Sequence, residues 1–284
     1  MTRHNSDDPG PGGRLVQLDD GEMYVVEEGE PDAPALVLIH GSAGSTAWWD
    51  PVVPALAGAC RVIRVDLLGH GRSSATAGGY GIPAHARRVG AALDRLGAGR
   101  VTVVGHSMGC LVATALAEQR PDKVRALTLI DMGPSLDAVP PEDLLVRLLL
   151  ARFPGRLLWR LRTEATIRKA MRSAFARPIE LPDAVIEAAL GMTHPALAAT
   201  AHGALHYMGQ QSLPDRLAAL GLRLLVIFGT EDARYPSSSA ASYGRVPGAR
   251  VELLPGVGHT PMMEDPGTTG PLLLEFVAAA VRAR

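Results

Sequence analysis

Short apolar runs of strand length recur along this chain, with longer stretches of helical periodicity between them. Residues 35–39, 61–65, 101–104, 126–130, 224–228 and 251–254 are near-continuously hydrophobic. That is the pattern of strands covered on both faces, not of strands with one face in water. Residues 47–58, 83–96, 108–119 and 266–282 read as helices. Strand alternating with helix predicts a mostly parallel, doubly wound sheet. Ahead of this rhythm, residues 14–27 read as two short strands around Asp20-Gly21, a dipeptide suited to the positive φ angles of a tight hairpin.

One interval breaks the alternation. Between the strand ending at Ile130 and the strand beginning near Arg223 the chain shows helical periodicity punctuated by Pro154, Pro178, Pro182 and Pro195, with no strand pattern. This predicts a helical cap at residues 134–211, inserted into a core made of residues 14–133 and 212–284. Residues 1–13, polar and rich in Asp, Pro and Gly, read as a disordered lead-in without the apolar centre of a signal peptide.

Composition narrows the partners. The 284 residues carry 28 Lys and Arg against 29 Asp and Glu, so no basic excess exists to neutralise a phosphate backbone, and nucleic acid is not an expected partner. No uncharged run reaches the ~18 residues that span a bilayer, which argues against membrane insertion and for a cytoplasmic protein acting on a small molecule. Cys60 and Cys110 form no disulfide framework. His202 and His206 stand four residues apart, but no third ligand is evident, so no metal or other cofactor is expected.

The chemistry concentrates at Gly105-His106-Ser107-Met108-Gly109. A β-branched run enters this Gly-x-Ser-x-Gly pentapeptide and an alanine-rich helix leaves it, the context of a nucleophile turn in which a serine is held out at a sheet edge. A serine nucleophile needs a base and a carboxylate to orient that base. Among nine histidines, His259 is best placed, in the loop Pro255-Gly256-Val257-Gly258-His259 just after the last strand. Asp232 follows the preceding strand and is the expected acid, with Asp131 as the alternative. The oxyanion donors are expected from the backbone N–H groups of Met108 and of Ser42, the latter in the glycine-rich turn His40-Gly41-Ser42-Ala43-Gly44.

With these motifs the chain resembles the cap-bearing serine hydrolases of the α/β-hydrolase family, the esterase, C–C hydrolase and haloperoxidase-like group. Further shared features are His40-Gly41, the segment Asp66 to Ser73, the Gly229-x-x-Asp232 turn, and Gly258-His259-x-Pro261-x-x-Glu264-x-Pro266. Relatives that are haloalkane dehalogenases or epoxide hydrolases carry aspartate at the elbow. Ser107 here implies an acyl-enzyme instead. The resemblance implies an α/β-hydrolase fold and cleavage of a carboxylic ester, lactone or thioester. Carbon–carbon bond hydrolysis on a ketonic substrate, or a non-catalytic receptor on the same fold, are the alternatives.

A pocket is expected beside the elbow, with His40, Gly41, Trp48, Trp49, His106 and Trp159 in its wall and an apolar acyl group inside it. The cap also carries eight arginines between Arg147 and Arg177. An anionic substrate at the entrance would suit them, but solvated helix faces are the stronger reading.

Overall fold

A computed structural model describes residues 13–141 and 143–282. Eight strands form one sheet: β1 (Gly13–Leu18), β2 (Gly21–Glu28), β3 (Ala35–Ile39), β4 (Arg61–Val65), β5 (Val101–His106), β6 (Val124–Ile130), β7 (Arg223–Gly229) and β8 (Arg250–Leu254). Their spatial order is β1-β2-β4-β3-β5-β6-β7-β8. β1 and β2 form the expected antiparallel hairpin and β2 lies antiparallel to β4, while every later pairing is parallel.

The continuous apolar runs are explained by helices on both faces. On β3, Leu36 and Leu38 enter one hydrophobic cluster and Val37 and Ile39 the other, as the two-residue strand period requires. The cluster with Leu36 and Leu38 is sealed by α1 (Val53–Ala57) and α11 (Pro266–Arg282), the one with Val37 and Ile39 by α2 (Ile82–Arg95), α3 (Met108–Gln119) and α9 (Leu213–Leu220). Helix α2 shows how: Ile82, Ala86, Val89 and Leu93 recur at helical spacing and are fully buried. Each such Ile, Leu or Val contributes roughly 1.5–3 kcal/mol on burial.

Three expectations are corrected. The single helix over 47–58 is two pieces, a 3-10 turn at Thr46–Trp49 and then α1. Pro51 separates them, since it has no N–H to donate to the preceding turn. Helix α9 and a 3-10 run at Ser237–Arg245 are additional. Gly13 opens β1 and so is not lead-in, whereas the expectation for residues 1–12 lies outside the described residues.

Between β6 and α9 the chain forms α4 (Leu144–Leu150), α5 (Gly155–Arg160), α6 (Glu164–Arg172), α7 (Asp183–Gly191) and α8 (His194–Gln210), with no strand among the described residues. Helix α7 packs on the 3-10 turn after β3, and α8 on α2 and α3. Connections from β3 and β5 leave in opposite directions across the sheet, so their carboxyl ends border a crevice, the position where open α/β sheets bind ligands.

Candidate active site

Ser107 stands in that crevice with φ 51° and ψ −125°, a conformation that costs a residue with a Cβ on the order of 1–3 kcal/mol. The surroundings hold it there. Its N–H donates to the Ile130 carbonyl at 2.8 Å, and its own carbonyl accepts from Cys110 N–H at 2.8 Å. Both elbow glycines are steric requirements: a Cβ on Gly105 would stand 2.4 Å from the Gly109 carbonyl oxygen, and one on Gly109 would stand 2.3 Å from that of Ile39. Cys110 is buried behind the turn, its thiol directed at the Gly105 carbonyl, and burial pushes its pKa well up, away from any nucleophilic role.

His259 comes from the loop after β8. Its Nδ1–H donates to Asp232 Oδ2 at 2.9 Å, and Asp232 Oδ1 accepts from the backbone N–H groups of Arg234 and Tyr235 at 2.7 and 3.3 Å. The turn after β7 therefore fixes the carboxylate, and the carboxylate fixes the imidazole tautomer. Burial lowers the His259 pKa, opposed by the bond to Asp232, and nearby Arg234 pushes in the same direction as burial. The ring is thus held neutral with Nε2 as an open acceptor, the state a general base needs.

Asp131, the alternative acid, directly follows β6 with φ 48° and is fully buried. Its Oδ1 accepts from Gly229 N–H at 2.9 Å, and its Oδ2 has no partner among the described residues. Asp131, Asp232 and His259 each offer a ligand atom within 4.8 Å of the others. This set is poorly suited to a cation. Asp232 is occupied by His259 and two amides, and burial together with the Asp232 charge raises the Asp131 pKa well above the usual carboxylate range, whereas a metal ligand must lose its proton. His202 and His206 are exposed on α8, and His206 Nε2 pairs with Gln210 at 3.0 Å.

A cavity of about 270 Å³ joins these groups. Ser107, His259, His106, Gly41, Ser42, Ala43, Gly44 and Trp48 line its base, and Leu149, Trp159, Ile167, Met171, Ala189 and Leu197 from the inserted helices form an apolar roof. A Cβ on Gly41 would lie 3.0 Å from Ser107 Cβ, so only a bare backbone lets the β3 turn come this close to Ser107. The Ser42 N–H has no acceptor among the described hydrogen bonds. That of Met108 is the first amide of α3 and precedes any helical acceptor.

Two pocket residues expected from the sequence lie elsewhere. Trp49 is fully buried in the core with α1 and α11. His40 is also buried, its Nδ1–H donating to the Gly41 carbonyl at 2.7 Å and its Nε2 accepting from Leu67 N–H at 3.0 Å. Burial holds its pKa at about 3, so it braces the turn as a neutral ring. The cap arginines do not line the cavity either. Arg168 pairs with Glu164 and Asp183, and Arg177 with Asp265. Arg234, two residues beyond Asp232, is the arginine in the wall.

Glu264 was missed as a positioning residue. Buried in α10 (Pro261–Glu264), it accepts hydrogen bonds from the backbone N–H groups of Gly258, Thr260, Ala176 and Arg177, while His259 N–H donates to the Ala174 carbonyl at 2.8 Å. The histidine loop is thereby tied to the inserted helices. Its sequence signal was its place in the shared motif Gly258-His259-x-Pro261-x-x-Glu264-x-Pro266, which marks the position but assigns it no role until the loop is folded.

The fold and this site define an α/β-hydrolase enzyme. The family model of the alpha/beta hydrolase fold matches residues 34–266, and the chain belongs to that family. An uncharacterized protein of Mycobacterium tuberculosis is 30% identical over 280 residues, covering 88% of this chain and 80% of that protein. A Klebsiella pneumoniae protein named as a carbamate hydrolase is 27% identical over 256 residues, covering 88% and 93%. The structure of an esterase from Exiguobacterium antarcticum superposes with a TM-score of 0.79 at 20% identity, covering 94% of this chain and 99% of that one.

Proposed function

We propose that this hydrolase cleaves a carboxylic ester, lactone or thioester with a largely apolar acyl group through an acyl-Ser107 intermediate. The observation that carries this reading is a serine at a strained elbow sharing one apolar cavity with a neutral histidine whose Nδ1–H is held by Asp232.

His259 Nε2 takes the Ser107 proton as Oγ attacks the acyl carbon. The oxyanion is received by the Ser42 and Met108 N–H groups and by the positive end of α3. His259 then gives the proton to the departing oxygen or sulfur, and the acyl group stays on Ser107. Water, deprotonated by the same nitrogen, attacks the acyl-enzyme, and collapse of the second tetrahedral intermediate frees the acid and returns the proton to Ser107. The positive charge on the imidazolium is met by the Asp232 carboxylate in each half-reaction. A cavity of about 270 Å³ sits at the small end of ligand pockets and suits a short or medium acyl chain.

The test is hydrolysis of p-nitrophenyl esters from acetyl to dodecanoyl by the wild type and Ser107→Ala, with intact mass after a fluorophosphonate probe. The expected result is Ser107-dependent labelling and turnover that peaks at a short or medium chain. Turnover retained by Ser107→Ala refutes the assignment.

A further inference from the structure

Helices α4 and α5 have two unlike faces. The inner one supplies Leu149 and Trp159 to the cavity, and the Trp159 indole N–H donates to the Met192 carbonyl at 2.8 Å. The outer one is apolar and open to water: Leu144 is 69% exposed, Leu145 66%, Phe153 81%, Leu157 50% and Leu161 67%. The sequence of α4, Leu-Leu-Val-Arg-Leu-Leu-Leu, is hydrophobic on nearly every side, a composition that belongs to a helix covered all round. Large apolar side chains clustered in water mark a surface that meets something else.

Charge indicates what. Arg147, Arg152, Arg156 and Arg160 stand exposed among these side chains, and none is hydrogen-bonded or ion-paired through its side chain to any described residue. Of the other four arginines of the insertion, Arg162 is bound to the Trp159, Leu190 and Met192 carbonyls and Arg168 and Arg177 to acids, while Arg172, exposed on α6, is likewise without a side-chain partner among the described residues. A second copy meeting this face across a two-fold axis would bring like charges together. An anionic lipid surface answers both features, since it takes apolar side chains at its acyl boundary and arginines at its headgroups.

We propose that the outer face of α4 and α5 docks on an anionic lipid surface, bringing the roof of the Ser107 cavity to the interface. Helices of seven and six residues lie on such a surface and do not cross it. Docking stands by itself. That the enzyme thereby draws lipid-borne esters rests on the ester-hydrolase reading above.

The experiment is co-sedimentation of the full chain with phosphatidylcholine vesicles, with and without phosphatidylserine. Wild type and Ser107→Ala are expected to bind the anionic vesicles equally. The triple variant Leu144→Ser/Leu145→Ser/Phe153→Ser should lose at least tenfold in partition. Arg147→Gln/Arg156→Gln should lose about fivefold per arginine on phosphatidylserine vesicles and little on the neutral ones. All these side chains lie outside the cavity, so the thermal midpoint and turnover of a water-soluble ester should match wild type.

Absence of wild-type binding overturns the proposal, as does unchanged binding by the triple variant. A concentration-dependent dimer that the triple variant dissolves without lipid also overturns it, giving the face to a second copy. Vesicle binding without Ser107-dependent turnover removes the ester reading and leaves docking intact. Soluble-ester turnover without vesicle binding does the reverse.

Discussion

Asp232→Asn is expected to cost on the order of 10³ to 10⁴ in kcat/KM, and the structure says why so isosteric a change is so damaging. Asp232 Oδ1 is claimed by the Arg234 and Tyr235 amides, so the one oxygen left after substitution stays on that side. The new NH₂ group then takes the place of Oδ2 and faces His259 Nδ1, across a bond that spans 2.9 Å in the wild type. Two donors cannot share that bond, so the imidazole shifts to the tautomer protonated on Nε2 and can no longer accept the Ser107 proton. The lost charge is a second cost. A carboxylate about 4 Å from the imidazolium charge at an effective dielectric near 20 is worth about 4 kcal/mol, a factor of about 10³. Tautomer and charge together reach the upper figure.

Asp131 decides how far the loss goes. Burial and the Asp232 charge push the Asp131 pKa well up and so favour its neutral form; Asp131→Asn keeps a neutral group of the same shape there and should change kcat/KM by less than about tenfold. In the Asp232→Asn background the repelling charge is gone, and Asp131 ionises more readily beside His259. Residual activity of that variant should therefore rise with pH and fall further in the double variant, a non-additive cycle. The assay is kcat/KM on a p-nitrophenyl ester across the neutral pH range, with circular dichroism as the check on folding. A loss below tenfold for Asp232→Asn beside a severe loss for Asp131→Asn would refute the reasoning and give the acid role to Asp131.

Two further outcomes follow from the same geometry. Burial lowers the His259 pKa, so activity should be lost as pH falls through a midpoint below the usual histidine value of about 6.5. Arg234→Gln removes a cation that disfavours the imidazolium and should move this acid limb to higher pH in a kcat/KM profile; a shift to lower pH contradicts the electrostatics. Gly109→Ala drives a Cβ to 2.3 Å from the Ile39 carbonyl oxygen and should destabilise by ~2–3 kcal/mol, read as a lower midpoint in urea; an unchanged midpoint contradicts the close packing of the elbow.

Every parallel strand of the sheet, and the residues Ser107, Asp232 and His259 that the structure brings to one crevice, were legible in the sequence, because both are written in local chemistry. Continuous apolar runs require two covered faces. A serine between glycines, at the end of a β-branched run and the start of an alanine-rich helix, has few other structural uses. Asp20-Gly21 likewise announced its hairpin. These signals survive without knowledge of distant contacts because the strand period, the helix period and the glycine φ range are properties of a few residues at a time.

Tertiary structure alone settled which neighbours those residues meet. Trp48 and Trp49 are adjacent and chemically identical, yet one walls the cavity and the other fills the core, since a 3-10 turn points successive side chains to different sides. His40 and His106 each precede a glycine or serine in a strand-end turn, yet only His106 lines the cavity while His40 spends both ring nitrogens on backbone. Glu264 gains its role only when the histidine loop and the segment at 174–177 converge on one carboxylate. The apolar residues of the insertion, alike in sequence, divide into an inner roof and an outer face by the way α4 and α5 pack. Which side of a helix turns inward depends on what stands beside it, and a linear pattern does not carry that contact.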